Sequence, residues 1–253
     1  MNLHIVASGR RPDLVLLHGW GANSGVWQAA AAEFARRFRV YCVDLPGHGA
    51  SGPEMPGTLG DMAEWLAAQW PAPAAVCGWS LGAQLALQWA ALPHRVGRLI
   101  LVAATPCFVQ RADWRHGMEI AVLDDFARDL SIDCPAALQR FIALQAYRDT
   151  AARAVAHELR RRLEMTPPQP AALADGLQWL KTTDLRARLA AIKSPALILH
   201  GDRDVVTPPA AGAWLAQRLP AAKLSIFSGS AHAPFLSQPR AFVEQVLEFC
   251  DER

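Results

Sequence analysis

Ala75-Val76-Cys77-Gly78-Trp79-Ser80-Leu81-Gly82-Ala83 decides how this chain is read. It is a Gly-x-Ser-x-Gly pattern, entered from the short apolar run Ala74 to Cys77 and left through Leu85-Ala86-Leu87-Gln88-Trp89-Ala90. The run before it predicts a buried strand, and the segment after it a helix. A serine on so sharp a strand-to-helix turn takes strained backbone angles. The flanking glycines are needed because a Cβ there would meet the neighbouring strand and helix. Such a turn lifts the Ser80 hydroxyl clear of the sheet and aims a helix N-terminus at any oxyanion formed beside it.

Outward from this turn the chain alternates strands and helices. Met1 to Val6, Leu14 to Leu17, Val40 to Val43 and Arg98 to Ala103 predict strands, with helices over Val26 to Phe38 and from a cap at Thr58 or Asp61 to Trp70. Pro93 ends the helix after Ser80. After Cys107 the rhythm changes. Phe126 to Leu130, Pro135 to Ala146, Thr150 to Leu163 and Pro170 to Leu180 read as four helices with no convincing strand among them. The α/β rhythm returns with Ala196 to His200, a helix over Ala210 to Leu219, a strand over Lys223 to Phe227 and a closing helix over Arg240 to Cys250. The expectation is an α/β fold: a mostly parallel sheet flanked by helices, with an inserted helical lid. Residues 1–107 and 183–253 would form the core, and 108–182 the lid. Crossover handedness puts the loops after the strands along one edge of the sheet.

Composition narrows the function class. The 253 residues are 52% hydrophobic and 19% charged, enough for a single large core. A net charge of +2 does not suggest a nucleic-acid binder. No run of eighteen apolar residues predicts a membrane span, and the N-terminus lacks the pattern of a leader peptide. Five scattered cysteines form neither a metal-ligand spacing nor a disulfide framework, which suits reduced thiols in the cytoplasm. No metal or other cofactor is expected.

Ser80 needs a base, and the base an orienting group. Gly201-Asp202-Arg203-Asp204 and Ser230-Ala231-His232-Ala233-Pro234 each follow a predicted strand. Of eight histidines, His232 is the best base. His18 belongs to a turn, His48 to a Gly-rich loop, and His200 suits a core position. His4, His94, His116 and His157 have no partner motif. Asp204, the last residue of its loop, is chosen as the acid, with Asp202 bracing the loop. The backbone N–H of Leu81 is one oxyanion donor, and the second is expected from His18-Gly19-Trp20-Gly21, at Trp20. The Trp20 and Trp79 side chains either wall an acyl pocket or pack in the core.

Taken together, His-Gly-Trp-Gly, Asp-Leu-Pro-Gly-His-Gly, Gly-Trp-Ser-Leu-Gly, Gly-Asp-Arg-Asp and Ala-His-Ala-Pro-Phe resemble the α/β-hydrolase superfamily across nearly the whole chain. Thr-Pro-Cys-Phe at 105–108 and Phe-Ile-Ala-Leu-Gln at 141–145 narrow the resemblance to the pimeloyl-[acyl-carrier protein] methyl ester carboxylesterases of biotin synthesis. The resemblance implies a Ser80–His232–Asp204 triad and a substrate bordered by Trp20, Trp79, Leu81 and His232. It also implies lid contacts from Phe141, Ile142, Ala143, Leu144 and Gln145. The implied substrate is a methyl ester carried on acyl carrier protein; separately from the resemblance, a monomer is expected.

An independent pattern agrees with an acidic partner. From Thr150 on, Val155, Leu159 and Leu163 recur at helical spacing, with Arg153, His157, Arg160 and Arg161 on roughly the opposite side. Arg140, Arg148 and Arg162 lie nearby, offset by Asp149, Glu158 and Glu164. Arg140, Arg148, Arg153, His157, Arg160 and Arg161 are therefore the expected carrier-docking set; the alternative is a solvated helix face. Other readings of the same residues are a short-chain esterase, a carbon–carbon bond hydrolase, or a non-catalytic binding protein of this fold.

Overall fold

The computed structural model describes residues 2–70, 74–93 and 96–252, so Met1 and His94 lie outside the described residues. The strands are β1 (Ile5–Ser8), β2 (Asp13–Leu17), β3 (Arg39–Val43), β4 (Ala74–Trp79), β5 (Val96–Val102), β6 (Ala196–Gly201) and β7 (Ala222–Phe227). They form one sheet in the order β1-β3-β2-β4-β5-β6-β7. Among the described residues, only the β1–β3 pair is antiparallel; the other pairs are parallel. Within β2, β4 and β6 the stretches 14–17, 74–77 and 196–199 are unbroken apolar runs because helices cover both faces of the sheet there.

The helices that pack on the sheet are α1 (Gln28–Phe34), α2 (Leu59–Gln69), α3 (Leu81–Ala90), α8 (Pro209–Arg218), α9 (Pro234–Ser237) and α10 (Pro239–Asp251). Thr58 and Asp61 both cap α2, each side chain bonding the other residue's backbone N–H. The helix expected over Val26 to Phe38 is shorter than predicted. A 3-10 turn over Ser24–Trp27 precedes α1, and the Phe34 carbonyl, bonded by both Arg37 and Phe38 N–H groups, closes it.

Between β5 and β6 lie α4 (Ile120–Ile132), α5 (Cys134–Gln145), α6 (Ala152–Met165) and α7 (Pro170–Thr182). The first of these starts six residues before the expected Phe126. Its early apolar residues Ile120 and Val122 are exposed, which blurs the amphipathic pattern there. This insertion leaves and returns at one place: Cys107 bridges Asp184, and the Leu185 N–H donates to the Pro106 carbonyl. It packs on both sides of the sheet. Leu138, Leu173 and Leu177 join the core under α2 and α3, while Ile142, Val155 and Leu159 join the one under α1 and α10.

Candidate active site

Ser80 sits between β4 and α3 at φ 55°, ψ −113°, a region L-residues seldom occupy. Two close approaches hold it there. A Cβ on Gly78 would run into the Gly82 carbonyl oxygen, and one on Gly82 would lie 2.6 Å from that of His18. Leu81 is the first residue of α3, so its N–H has no helical carbonyl to donate to.

His232 is fully buried in the loop between β7 and α9. Its Nδ1–H donates to Oδ2 of Asp204 at 2.8 Å, which leaves Nε2 as the acceptor nitrogen. That Nε2 is buried and, among the described residues, has no hydrogen-bond partner, Ser80 included. Such bonds commonly tighten only when substrate is bound. The other Asp204 oxygen accepts the N–H groups of Val206 and Thr207, at 2.9 Å each. Burial by itself would raise the Asp204 carboxyl, but the His232 charge and the bonds from His200 and His232 outweigh it. Asp204 is held well below the usual carboxylate range. Asp202 does something else: its oxygens take the Gly229 N–H and the Ser228 hydroxyl, bracing the loop before His232. His200 is a core histidine, donating from Nε2 to the Thr207 carbonyl.

His18 ties down the loop that carries Trp20. Its Nδ1–H donates to the Gly19 carbonyl, and its Nε2 accepts the Leu45 N–H at 2.9 Å. Asp44 takes the Ser24 and Ala50 N–H groups, joining the same two loops. The insertion grips Trp20 directly. The indole N–H donates to the Leu173 carbonyl of α7 at 2.9 Å, and Phe126 and Phe141 meet the ring edge-on.

A cavity of about 250 Å³ opens over Ser80. Apart from Ser80 and Arg140 its lining is hydrophobic, with Trp20, Phe108, Phe126, Phe141 and Leu177 prominent. The expected lid run 141–145 divides by helical phase. Phe141 and Leu144 line the cavity, but Ile142 and Gln145 turn into the protein and Ala143 faces solvent. Trp79 departs from the pocket-wall reading as well. It is wholly buried against Phe235, and its indole N–H donates to the His232 carbonyl.

On α6 the apolar stripe is as expected: Val155 and Leu159 are buried, and Arg153, His157, Arg160 and Arg161 are exposed. Part of the positive charge is already paired. Arg161 forks onto Glu158, and Arg140 meets Asp129. Arg160 bonds Gln139, and Arg148 lies over the Tyr147 ring. One residue of this site went unrecognised in the sequence. Asp149, counted there only as an offsetting charge, is buried and accepts the Ala231 N–H beside His232.

Residues 14–245 match the profile described as the alpha/beta hydrolase family, and the chain belongs to that family. Among solved structures it is similar to an esterase from Exiguobacterium antarcticum, with a TM-score of 0.90 at 24% identity over 99% of this chain and 96% of that one. That likeness speaks to the fold. Nearer in sequence is the pimeloyl-[acyl-carrier protein] methyl ester esterase of Nitrosomonas europaea, 46% identical over 96% of this chain and 97% of that protein. The protein of the same name from Chromobacterium violaceum is 43% identical over 98% of each. Within the hydrolases, the chain belongs with these esterases.

Proposed function

We propose that this protein is a serine carboxylesterase that hydrolyses the methyl ester of a pimeloyl chain carried on acyl carrier protein, the step its resemblance assigns to biotin synthesis. The observation that carries the reading is Ser80 at a hydrophobic cavity, in a chain 46% identical to an esterase of that name. An aliphatic acyl chain suits such walls, and the one reactive group in the lining is the hydroxyl that would attack it.

In this reading Ser80 Oγ attacks the ester carbonyl while His232 Nε2 takes its proton. Asp204 holds the imidazole tautomer and stabilises the imidazolium that forms. The Leu81 and Trp20 N–H groups bind the tetrahedral oxyanion; one such donor supplies about 3–4 kcal/mol. The imidazolium then gives its proton to the departing methoxy group, releasing methanol and leaving the acyl chain on Ser80. Water, deprotonated by the same nitrogen, cleaves that acyl-enzyme and restores Ser80.

Residues 108–182 act as the lid, and Phe141 and Leu144 are its substrate contacts. Arg153, His157 and Arg160, with Arg140, Arg148 and Arg161, make up the face for the acidic carrier, whose binding weakens with salt. Five free thiols support a reducing compartment, the cytoplasm, where the enzyme works as a monomer. Among the described residues, no helix is long and apolar enough to cross a membrane.

The test is to incubate the carrier-bound methyl ester with wild type and Ser80→Ala side by side and follow the mass of the carrier. Loss of one methyl-ester increment with wild type alone supports the reading. An intact carrier ester alongside cleaved small esters would leave a general esterase in its place.

A further inference from the structure

The turn between α5 and α6 is stitched to the loop that carries His232. Asp149 Oδ2 accepts the Ala231 N–H at 2.6 Å, and the Gln145 carbonyl accepts the His232 N–H at 3.1 Å. Thr150 gives both its N–H and its hydroxyl to the Gly229 carbonyl, and Arg203 donates to the Arg148 carbonyl. Consecutive amides at 231 and 232 are thus held by the inserted helices. The His232 carbonyl and Nδ1 are held from the core, by Trp79 and Asp204.

Asp149 is the costly member of this set. A buried carboxylate is retained only where hydrogen bonds compensate for its lost hydration. One of its oxygens does a local job, taking the Ala151 N–H at 2.7 Å and closing its own turn. A serine could do as much. The second oxygen reaches across 82 residues to the loop of the histidine, which a local turn does not require. We infer that Asp149 is a positioning residue for His232: from within the helical insertion, it fixes the main chain that aims Nε2 at Ser80. The insertion then belongs to the proton-transfer apparatus as well as to the substrate cavity. This inference rests on the reading of His232 as the general base.

The experiment compares wild type, Asp149→Ser, Asp149→Asn and His232→Ala as full-length proteins. A fluorophosphonate counts the reactive Ser80 sites in each preparation. Turnover of p-nitrophenyl acetate is then expressed per reactive site, and thermal midpoints are recorded. Serine can keep the local bond to Ala151 but is too short for Ala231. Asparagine spans the same distance with a single accepting oxygen, so it can keep the Ala231 bond only by giving up the one to Ala151. Asp149→Ser should lose about 10- to 100-fold in kcat per site, as expected for a displaced catalytic group. Its KM should stay within about threefold, and Asp149→Asn should recover part of the loss. A purely structural role would lower the midpoint and the count of reactive sites but leave kcat per site within twofold of wild type; that result overturns the inference. Should Asp149→Ser not fold, Asp149→Thr, whose hydroxyl is equally short of Ala231, decides on the same criterion. If His232→Ala retains turnover, the base assignment itself falls and takes the inference with it. An inert His232→Ala beside an unimpaired Asp149→Ser removes the inference alone.

Discussion

The indole N–H of Trp79 donates to the main-chain carbonyl of His232 at 2.8 Å, so the residue before the nucleophile holds the backbone of its proposed base. Trp79→Phe keeps the aromatic packing on Phe235 and leaves that buried carbonyl unpaired. The cost should be roughly 1–3 kcal/mol of stability, with a fall in kcat larger than the change in KM. Urea unfolding and steady-state kinetics on one ester measure both.

Asp204 and Asp202 should separate cleanly on mutation. In Asp204→Asn the two backbone amides at 206 and 207 still find an oxygen, which turns the new NH2 toward His232 Nδ1. That imposes the wrong imidazole tautomer, so kcat should drop on the order of 10⁴-fold with the fold intact. Asp202→Asn should leave kcat within a few-fold and cost about 1 kcal/mol through its weakened bracing of Gly229. A large kcat loss in Asp202→Asn would reverse the assignment.

Gly176 is where α7 passes the Trp20 ring: a Cβ there would lie 2.7 Å from Cδ1 of the indole. Gly176→Ala should push the ring off the Leu173 carbonyl and into the cavity. Overpacking of this kind costs about 1–3 kcal/mol. Because the displaced ring walls the cavity, KM for acyl esters should rise as well. An unchanged KM would mean that the ring has room to move elsewhere.

His48 supplies a pH signature. Burial, reinforced by the neighbouring His18, pushes it down to about 3, against roughly 6.5 in an unfolded chain. Between those values the unfolded state binds a proton that the folded state refuses. Its contribution to stability is complete above about pH 6.5 and lost as pH falls toward 3, at up to about 1.4 kcal/mol per pH unit. His48→Gln has no such group. The stability difference between wild type and variant, from denaturant midpoints at several pH values, should grow with pH across that window and level off above it.

Much of this was legible because the decisive signals are local. The strained turn at Ser80, the final aspartate of its loop and the apolar stripe of α6 each lie within a few residues and follow from sterics or helical period. The direction of β1 was not legible, since hydrophobic pattern does not distinguish parallel from antiparallel pairing. Nor was the start of α4, whose Val122 faces the cavity rather than a packed interior. Of the run 141–145, Phe141 and Leu144 line the cavity, because a helix cannot turn five consecutive side chains to one side. Asp149 was missed because its partner is remote in sequence, and a lone acid among arginines reads as surface charge.

Since the insertion departs and returns through paired Cys107 and Asp184, it has the topology of an exchangeable cassette. A graft at those two residues would leave every strand crossing undisturbed. Yet the segment grips Trp20 and the loop of His232, so a foreign cassette of equal length would restore the scaffold without the chemistry. New specificities in this architecture are therefore reached more readily by altering the Val122, Phe141 and Leu144 side chains in place than by exchanging the whole segment.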